Sequence, residues 1–178
     1  MSSYVFSKLC DSIIASLDSK PPANSNNLMN YNPLPQLRSN NVKILINASP
    51  LTDKRQFTEY WIKLPLTQHK LQSYDYHTIP GMNMTNLVIN GKVRFNENGK
   101  NKLGESAEIN PMNGMIGGIN NNNNNANDKQ RAIWGSWFGF TMVVVIDGII
   151  NENTLNSEFI NSFNYKITYI AGDSVMQV

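Results

Sequence analysis

The segment at residues 132–146, AIWGSWFGFTMVVVI, restricts the fold more than any other part of the chain because it is apolar on two faces. Successive side chains of a β-strand point to opposite sides of its sheet. The even-numbered positions are large and apolar: Phe138, Phe140, Met142, Val144 and Ile146. The odd-numbered positions, on the opposite side, are also mostly apolar: Trp137, Thr141, Val143 and Val145. We therefore predict a strand that packs against the protein core with one face and needs a cover on the other.

The nature of that cover is the main functional question. An antiparallel sheet that meets water normally carries polar side chains on the wet face. Leaving Val143, Val145 and Trp137 in water forgoes roughly 1.5–3 kcal/mol each relative to burial. The sheet of a partner is the simplest cover, and the alternative is that the C-terminal tail or a long loop of this chain folds over the strand. The sequence favours the partner.

Two amphipathic helices are predicted in the first part of the chain. Residues 3–18 carry apolar side chains at helical spacing: Phe6, Leu9, Ile13 and Leu17. After an irregular connector, VKILIN is a short strand. Ser49 and Pro50 have the pattern of a capping residue and a first helical residue, so a second helix is predicted to begin there. It ends near Leu64, because Pro65 cannot continue it.

Three further strands follow the second helix. They are KLQSYDYHTI, then TNLVINGKVRF after a turn at Pro80-Gly81, and FINSFNYKITYI near the C-terminus. The dipeptide Asn90-Gly91 alone suggests a tight hairpin. Its arms would span only three or four residues, so we predict one continuous strand with a bulge or a close backbone approach at Gly91.

The order of the elements defines the fold class. Helices come first and long strands last, which predicts an α+β domain with the helices packed on one face of a curved antiparallel sheet. A chain of 178 residues suits a single domain, 1–178. Residues 97–131 are rich in Asn and Gly and include INNNNNNAN, so they are predicted to form a long low-complexity loop.

Composition restricts the classes of partner and the cellular compartment that suit this chain. The net charge of +2 gives only weak long-range attraction for a polyanion or an anionic membrane. The apolar segment described above is too short to span a bilayer, so no membrane partner is expected. The chain has one cysteine, Cys10, and its N-terminus lacks the pattern of a secretion signal. Both features indicate a reducing compartment, cytosol or nucleus.

The strand alternation also predicts which side chains form the outward face. We expect three neighbouring strands to contribute to a partner interface. The candidates are Asn90, Lys92 and Arg94 on one strand, Trp137, Thr141, Val143 and Val145 on the next, and Asn164, Lys166 and Thr168 on the last. The apolar members should carry affinity and the charged members the choice of partner. Homodimer and heterodimer leave the same mark on a single chain.

A rival interpretation is a small cavity enzyme. Asp75 and His77 are two residues apart on a strand and so share a face, which lets a carboxylate orient an imidazole as a general base. Isomerases and dehydratases occur on folds of this kind. The alternative for the pair is a structural hydrogen bond near the Pro80-Gly81 turn. Cys10, His69 and His77 lack the spacing of metal ligands, and no nucleophile or cofactor motif is present. We therefore expect no enzyme, no metal and no cofactor.

Five segments, taken in order, resemble a known family. They are SYDYHTIPG, KVRFNENGKNKLGE, WGSWFGF, VVVIDG and FNYKITYIAGDS. Together they are similar to the fungal mRNA transport regulators, the small subunits of the heterodimeric mRNA export receptor. The similarity extends from about residue 42 to the end of the chain. It implies the fold of nuclear transport factor 2, here called NTF2-like.

The resemblance implies a non-catalytic role and a set of partners. The small subunit pairs through its sheet with the NTF2-like domain of the large export subunit. The heterodimer carries messenger ribonucleoprotein through the nuclear pore by binding Phe-Gly nucleoporins, which implies residence at the nucleus and nuclear pore with shuttling to the cytoplasm. The family is also linked to export of large pre-ribosomal subunits, in which loops near the sheet touch RNA. Lys100 and Lys102, beside Lys92 and Arg94, are the candidate RNA contacts in this sequence.

Overall fold

The computed structural model describes residues 3–22, 31–107 and 134–168. Two α-helices, α1 (Ser3–Asp18) and α2 (Lys54–Lys63), accompany six strands. The strands are β1 (Lys43–Ile46), β2 (Ser49–Leu51), β3 (Thr67–Ile79), β4 (Met84–Phe95), β5 (Phe138–Asp147) and β6 (Ile160–Thr168). A short 3-10 turn, Glu152–Thr154, lies between β5 and β6. In the described residues, no helix is long and apolar enough to cross a membrane.

The six strands form one sheet in the order β2-β1-β6-β5-β4-β3. The long strands β3, β4, β5 and β6 pair antiparallel with their neighbours, as predicted. The prediction of a wholly antiparallel sheet is wrong in one place, because β1 runs parallel to β6. Strands β1 and β6 are far apart in the sequence, so the chain between them is long enough to allow parallel pairing. The short loop of a hairpin allows only antiparallel pairing.

One face of the sheet packs against the helices and forms the core. Strand β5 contributes its even-numbered side chains, all at most 2% exposed, as predicted: Phe138, Phe140, Met142, Val144 and Ile146. Strand β4 contributes Leu87, Ile89, Val93 and Phe95. Helix α1 buries the apolar stripe that predicted it. The burial pattern of β4 alternates without interruption, so each strand has a core face and an outward face.

The start of the second helix differs from the prediction. Asp53, not Ser49, is the N-cap, and its carboxylate accepts a hydrogen bond of 2.8 Å from the backbone N–H of Gln56. Ser49 and Pro50 belong to β2, which pairs with β1. The reason is a two-residue reversal at Asn47 and Ala48, whose φ values of 49° and 68° lie in the left-handed region. The helix ends before Leu64 and Pro65, as predicted.

Gly91 lies where the backbone of β4 is crowded from two sides. A Cβ atom at this position would lie 2.2 Å from the carbonyl oxygen of Lys70 and 2.7 Å from the ring of Phe140. The neighbouring strand β3 carries a bulge between Leu71 and Ser73, opposite Gly91 and Asn90. The predicted continuous strand with a close backbone approach is therefore confirmed, and it excludes the Asn90-Gly91 hairpin.

The first part of the predicted long loop packs on the domain. Residues 97–107 follow β4, and the backbone N–H of Lys102 donates to the carbonyl oxygens of Ile62 and Leu64, at 3.2 and 2.9 Å. These bonds attach the segment to the end of α2. Residues 108–131 of the predicted loop, and the end of the last predicted strand beyond Thr168, lie outside the described residues.

Replacement of Gly91 by alanine tests the close approach. We expect Gly91→Ala to lower the free energy of unfolding by about 3 kcal/mol or more, because a backbone carbonyl and a packed ring cannot both move away. Chemical denaturation monitored by tryptophan fluorescence measures the change. Gly81→Ala is the control: its φ of 75° is strained but its surroundings are open, so a cost of only about 1 kcal/mol is expected. Equal costs would contradict the steric argument.

Candidate partner interface

The outward faces of β4, β5 and β6 bring all ten predicted interface residues onto one surface, here called the outer face. Backbone register aligns Asn90 of β4 with Thr141 of β5, and Thr141 with Lys166 of β6. Val143 lies opposite Asn164, and Gly139 lies between Lys92 and Thr168. Eight of these side chains are partly exposed: Asn90, Lys92, Arg94, Trp137, Thr141, Val143, Val145 and Asn164. Lys166 and Thr168 are exposed.

An apolar row crosses the middle of the outer face. Val88 of β4 pairs with Val143 of β5, and Asn164 continues the row to Leu45 of β1. Val145 lies next to it on β5. Each of these four apolar side chains is only partly buried. Neither helix covers this face, because both pack against the opposite one. The described residues therefore leave an apolar strip in water, as the two-faced strand predicted.

Polar contacts fix the side chains around this strip. The hydroxyl of Thr141 donates a 2.9 Å hydrogen bond to the side-chain oxygen of Asn90. At the end of the face, the guanidinium of Arg94 lies 5.2 Å from the ring centre of Trp134 and 4.6 Å from that of Trp137. Its Nε donates to Oε1 of Gln68 at 2.7 Å. Arg94 is therefore held in one orientation, neither a freely solvated side chain nor a member of an ion pair within the described residues.

Sequence reasoning missed several members of the outer face. Val88 shares the alternation of Asn90, so the same pattern that identified Asn90 could have found it. Leu45 follows equally from the alternation of VKILIN. Lys70 and Gln68 on β3 required the register with β4, and Trp134 required the tertiary structure. Trp134 precedes β5, and an antiparallel backbone bridge between Trp134 and Asn96 places its side chain next to Arg94.

The predicted enzyme pair does not form a site. Asp75 and His77 do share a face of β3, but both are exposed and lie on the side of the sheet away from the helices. The carboxylate of Asp75 accepts a hydrogen bond from the backbone N–H of Tyr76, at 2.8 Å. No hydrogen bond joins Asp75 to His77 in the part of the chain that the structure describes. A general base needs an enclosed substrate next to it, and this position supplies none.

The buried histidine is His69, which the sequence did not single out. Its Nδ1 lies 2.6 Å from the carboxylate of Asp18, and its Nε2 lies 2.9 Å from the hydroxyl of Tyr165. Trp61 stacks on the imidazole and Phe140 meets it edge-on. Burial raises the pKa of Tyr165 well above its usual value. Aromatic side chains thus surround this histidine between the helices and the sheet, and the polar groups of Asp18, His69 and Tyr165 are bonded to one another.

The described residues do not meet the requirements of a metal site. Among residues 3–22, 31–107 and 134–168, no cluster of three His, Cys, Asp or Glu side chains is arranged to hold a metal ion. Burial raises the pKa of the Cys10 thiol to about 12, so this cysteine is a buried apolar side chain and not a reactive thiolate.

The structure does not support Lys102 as an RNA contact. The side chain is 6% exposed, and its ammonium donates to the hydroxyl of Thr67 at 2.9 Å and to the carbonyl oxygen of Leu17 at 3.3 Å. Leu17 is in the last turn of α1, where a positive charge is favoured. Lys102 therefore attaches the segment after β4 to the end of the helix. Lys100, two residues earlier, is exposed.

The pH dependence of stability tests the burial of Lys102. Burial lowers its pKa from 10.5 to about 8, an effect that the charge of Asp18 partly opposes. Between these two pH values the unfolded chain binds more protons than the folded one, so stability rises as the pH rises. From pH 7.5 to pH 10, we expect the free energy of unfolding of the wild type to gain about 2–3 kcal/mol relative to Lys102→Met.

Urea denaturation at the two pH values measures that difference. Comparing the variant with the wild type cancels the contributions of other groups that titrate near pH 10. Lys100→Met is the matched control, because it removes an exposed lysine from the same segment and leaves the buried contacts of Lys102 in place. A constant difference for Lys102→Met would contradict the buried ammonium.

Known proteins match this chain along most of its length. The family model described as nuclear pore RNA shuttling protein Mtr2 matches residues 4–178. The mRNA transport regulator MTR2 of Candida albicans is 39% identical over 142 residues, which cover 76% of this chain and 72% of that relative. In the C. albicans Mtr2-Mex67 M domain complex, a chain with 32% identity superposes with a TM-score of 0.71, covering 95% of this chain and 97% of the other.

A more distant match concerns the fold alone. Nuclear transport factor 2 from Cryptosporidium parvum has a TM-score of 0.54 and 10% identity over 93% of both chains. The sheet with helices on one face is thus an NTF2-like fold, as predicted, and the candidate site on it is the outer face of the sheet. Within that class, the chain belongs to the family of nuclear pore RNA shuttling protein Mtr2. The family is named for transport and not for a reaction, which confirms the prediction of a non-enzymatic role.

Proposed function

We propose that this protein is the small, non-catalytic subunit of a heterodimeric mRNA export receptor. Its outer face pairs with the NTF2-like domain of a large subunit of the Mex67 kind. The heterodimer carries messenger ribonucleoprotein, and large pre-ribosomal subunits, through the nuclear pore by contact with Phe-Gly nucleoporins. The protein accordingly resides in the nucleus and at the pore and shuttles to the cytoplasm.

The observation that carries this proposal is the apolar strip that the described residues leave partly exposed. Val88, Val143, Val145 and Leu45 are partly exposed in the centre of the outer face. Burying them against a second sheet contributes about 25 cal/mol for each Å² of apolar surface removed from water. The C. albicans relative has been crystallised with the Mex67 M domain, so a chain of this family with the same fold does take a protein partner.

A charge placed in the strip tests the proposal. We expect Val143→Asp combined with Val145→Asp to reduce affinity for the large subunit at least a hundredfold, because two carboxylates would be buried without partners. Titration calorimetry with the purified NTF2-like domain of the large subunit measures the affinity. Circular dichroism of the free variant should be unchanged, since both side chains point away from the core.

The matched control is Ile149→Asp. Ile149 is also apolar and β-branched, is 69% exposed, and follows the end of β5 beyond the outer face. Its substitution should leave affinity within about twofold of the wild type. Unchanged binding by the double variant would refute the assignment of the interface to the outer face.

RNA contact is a second proposed activity, and one surface feature favours it. A cleft of about 430 Å³ lies between the end of α1 and the segment after β4. Lys20 and Lys100 line it and are exposed, while Glu105 is the acidic residue in its wall. Two ammonium groups on either side of a cleft suit a phosphate backbone.

Charge reversal at Lys100 tests this contact. We expect Lys100→Glu to weaken binding of a single-stranded RNA 20-mer by the heterodimer about threefold to tenfold, and to reduce the slope of log affinity against log salt by about one. Fluorescence anisotropy over a range of salt concentrations measures both quantities. Lys8→Glu, on the exposed side of α1, is the control and should change neither. If the two variants had identical salt slopes, the cleft would not be an RNA contact.

A further inference from the structure

We propose that Arg94, held between Trp134 and Trp137, is the position at which the outer face receives a carboxylate from its partner. We further propose that the positive charge of this face selects an acidic partner surface over a second copy of this chain. Both statements rest on the proposed function and add the chemistry of the partner to it.

The outer face is basic although the whole chain is nearly neutral. Strand register and burial assign five cationic side chains to it: Lys43, Lys70, Lys92, Arg94 and Lys166. Among the described residues, the register assigns to it the carboxylates of Asp75 and Asp147, and the carboxylate of Glu97 lies against Gly135, next to Trp134. Asp147 is already paired, because its Oδ2 lies 3.0 Å from Nη1 of Arg38. The face therefore carries an excess of positive charge, while the net charge of the chain is only +2.

Two of these cations are placed against each other. Lys70 of β3 and Lys92 of β4 are direct cross-strand neighbours on the same side of the sheet. Like charges in this position destabilise a sheet. Both lysines lie next to the pair formed by Gln68 and Arg94 in the same two strands, so the basic surface is continuous there.

The geometry around Arg94 is that of an anchored donor. The two indole rings pack against the guanidinium, and Gln68 accepts a hydrogen bond from one of its nitrogens, Nε. The two terminal nitrogens have no acceptor within residues 3–22, 31–107 and 134–168. The carboxylate of Glu97 lies nearby against Gly135, but no ion pair joins it to Arg94 in that part of the chain. A planar guanidinium with two free terminal nitrogens matches a carboxylate, which accepts two parallel hydrogen bonds.

These charges argue against pairing with a second copy. In a symmetric dimer the same patch meets itself, so the basic face would oppose an identical basic face. Like charges that face each other across an interface weaken binding. A face with Arg94 and the neighbouring lysines therefore requires a different chain, one that presents Asp or Glu side chains at the matching positions.

A protein sheet fits this surface better than RNA does. Lys and Arg next to tryptophan would also suit a nucleic acid. The centre of the face, however, is the aliphatic strip of Val88, Val143 and Val145, which offers a nucleotide neither stacking nor hydrogen bonds. An aliphatic centre with a charged rim is the usual arrangement of a protein interface.

Removal of the charge at Arg94 tests the proposal. We expect Arg94→Gln to weaken binding of the NTF2-like domain of the large subunit by at least about tenfold, equivalent to about 1.4 kcal/mol. The dependence of affinity on salt between 50 and 500 mM should also become shallower. Arg94→Lys keeps the charge without the planar fork, so its affinity should fall between those of Arg94→Gln and the wild type.

A charge exchange with the partner gives the second measurement. Arg94→Glu should bind the wild-type partner more weakly than Arg94→Gln does. One Asp→Lys or Glu→Lys substitution on the partner's sheet should restore its affinity by at least about tenfold. Arg55→Gln is the matched control, since Arg55 is a highly exposed arginine on α2, and it should bind as the wild type does. Circular dichroism of each free variant verifies that it is folded.

The outcomes separate this inference from the proposed function. If the wild type does not bind the large subunit at all, the proposed function is wrong. If the wild type binds but Arg94→Gln binds equally well, or no acidic partner position restores Arg94→Glu, the Arg94 site is wrong. A stable homodimer of the free wild type in light scattering would overturn the charge argument. If Arg94→Gln lost RNA binding but kept its affinity for the large subunit, the face would bind RNA and the proposed carboxylate site would be wrong.

Discussion

The doubly apolar strand β5 is the constraint on which the rest of the structure depends. Its alternate side chains fill a core that already includes both helices, so its remaining valines cannot also be buried by the same helices. Its position near the middle of the sheet, between β4 and β6, places those valines in the centre of the outer face. Gly91 permits the close packing of β3, β4 and β5 that keeps this face continuous. An outward surface with an apolar centre therefore follows from the pairing of the strands, before any partner is considered.

The other side of the sheet explains why the fold serves here as a scaffold. The network of Asp18, His69 and Tyr165, with Trp61 packed against it, lies between the helices and the sheet. Lys102 joins the end of α1 to the segment after β4 through buried hydrogen bonds. Buried polar groups that are bonded to one another stabilise a single packing arrangement. Both faces thus contribute to one role, a rigid sheet that presents its outer side.

Much of the fold and of the candidate site was predictable because it depends on short-range patterns. The stripe of α1, the alternation in β4 and β5, and the approach at Gly91 can be read within a dozen residues. The start of α2 was not predictable in this way, because Ser49-Pro50 and Asp53-Lys54 are both acceptable helix beginnings. The reversal at Asn47 decided between them. The side chain of Asn47 accepts a hydrogen bond from the backbone N–H of Ile167, which holds the turn against β6, and the chain then returns as β2 along β1. Lys102 looked solvent-exposed because its neighbours in the sequence are polar.

By itself, the sequence determined that one strand must have two apolar faces, and hence that ten particular side chains share an outward surface. Periodicity carries this information because side-chain direction in a strand depends only on position. The tertiary structure alone decided which distant groups meet: His69 with Asp18 and Tyr165, Lys102 with Leu17, Arg94 with Trp134, and β1 parallel to β6. Such contacts depend on how complete elements pack against one another, and no local pattern encodes that packing.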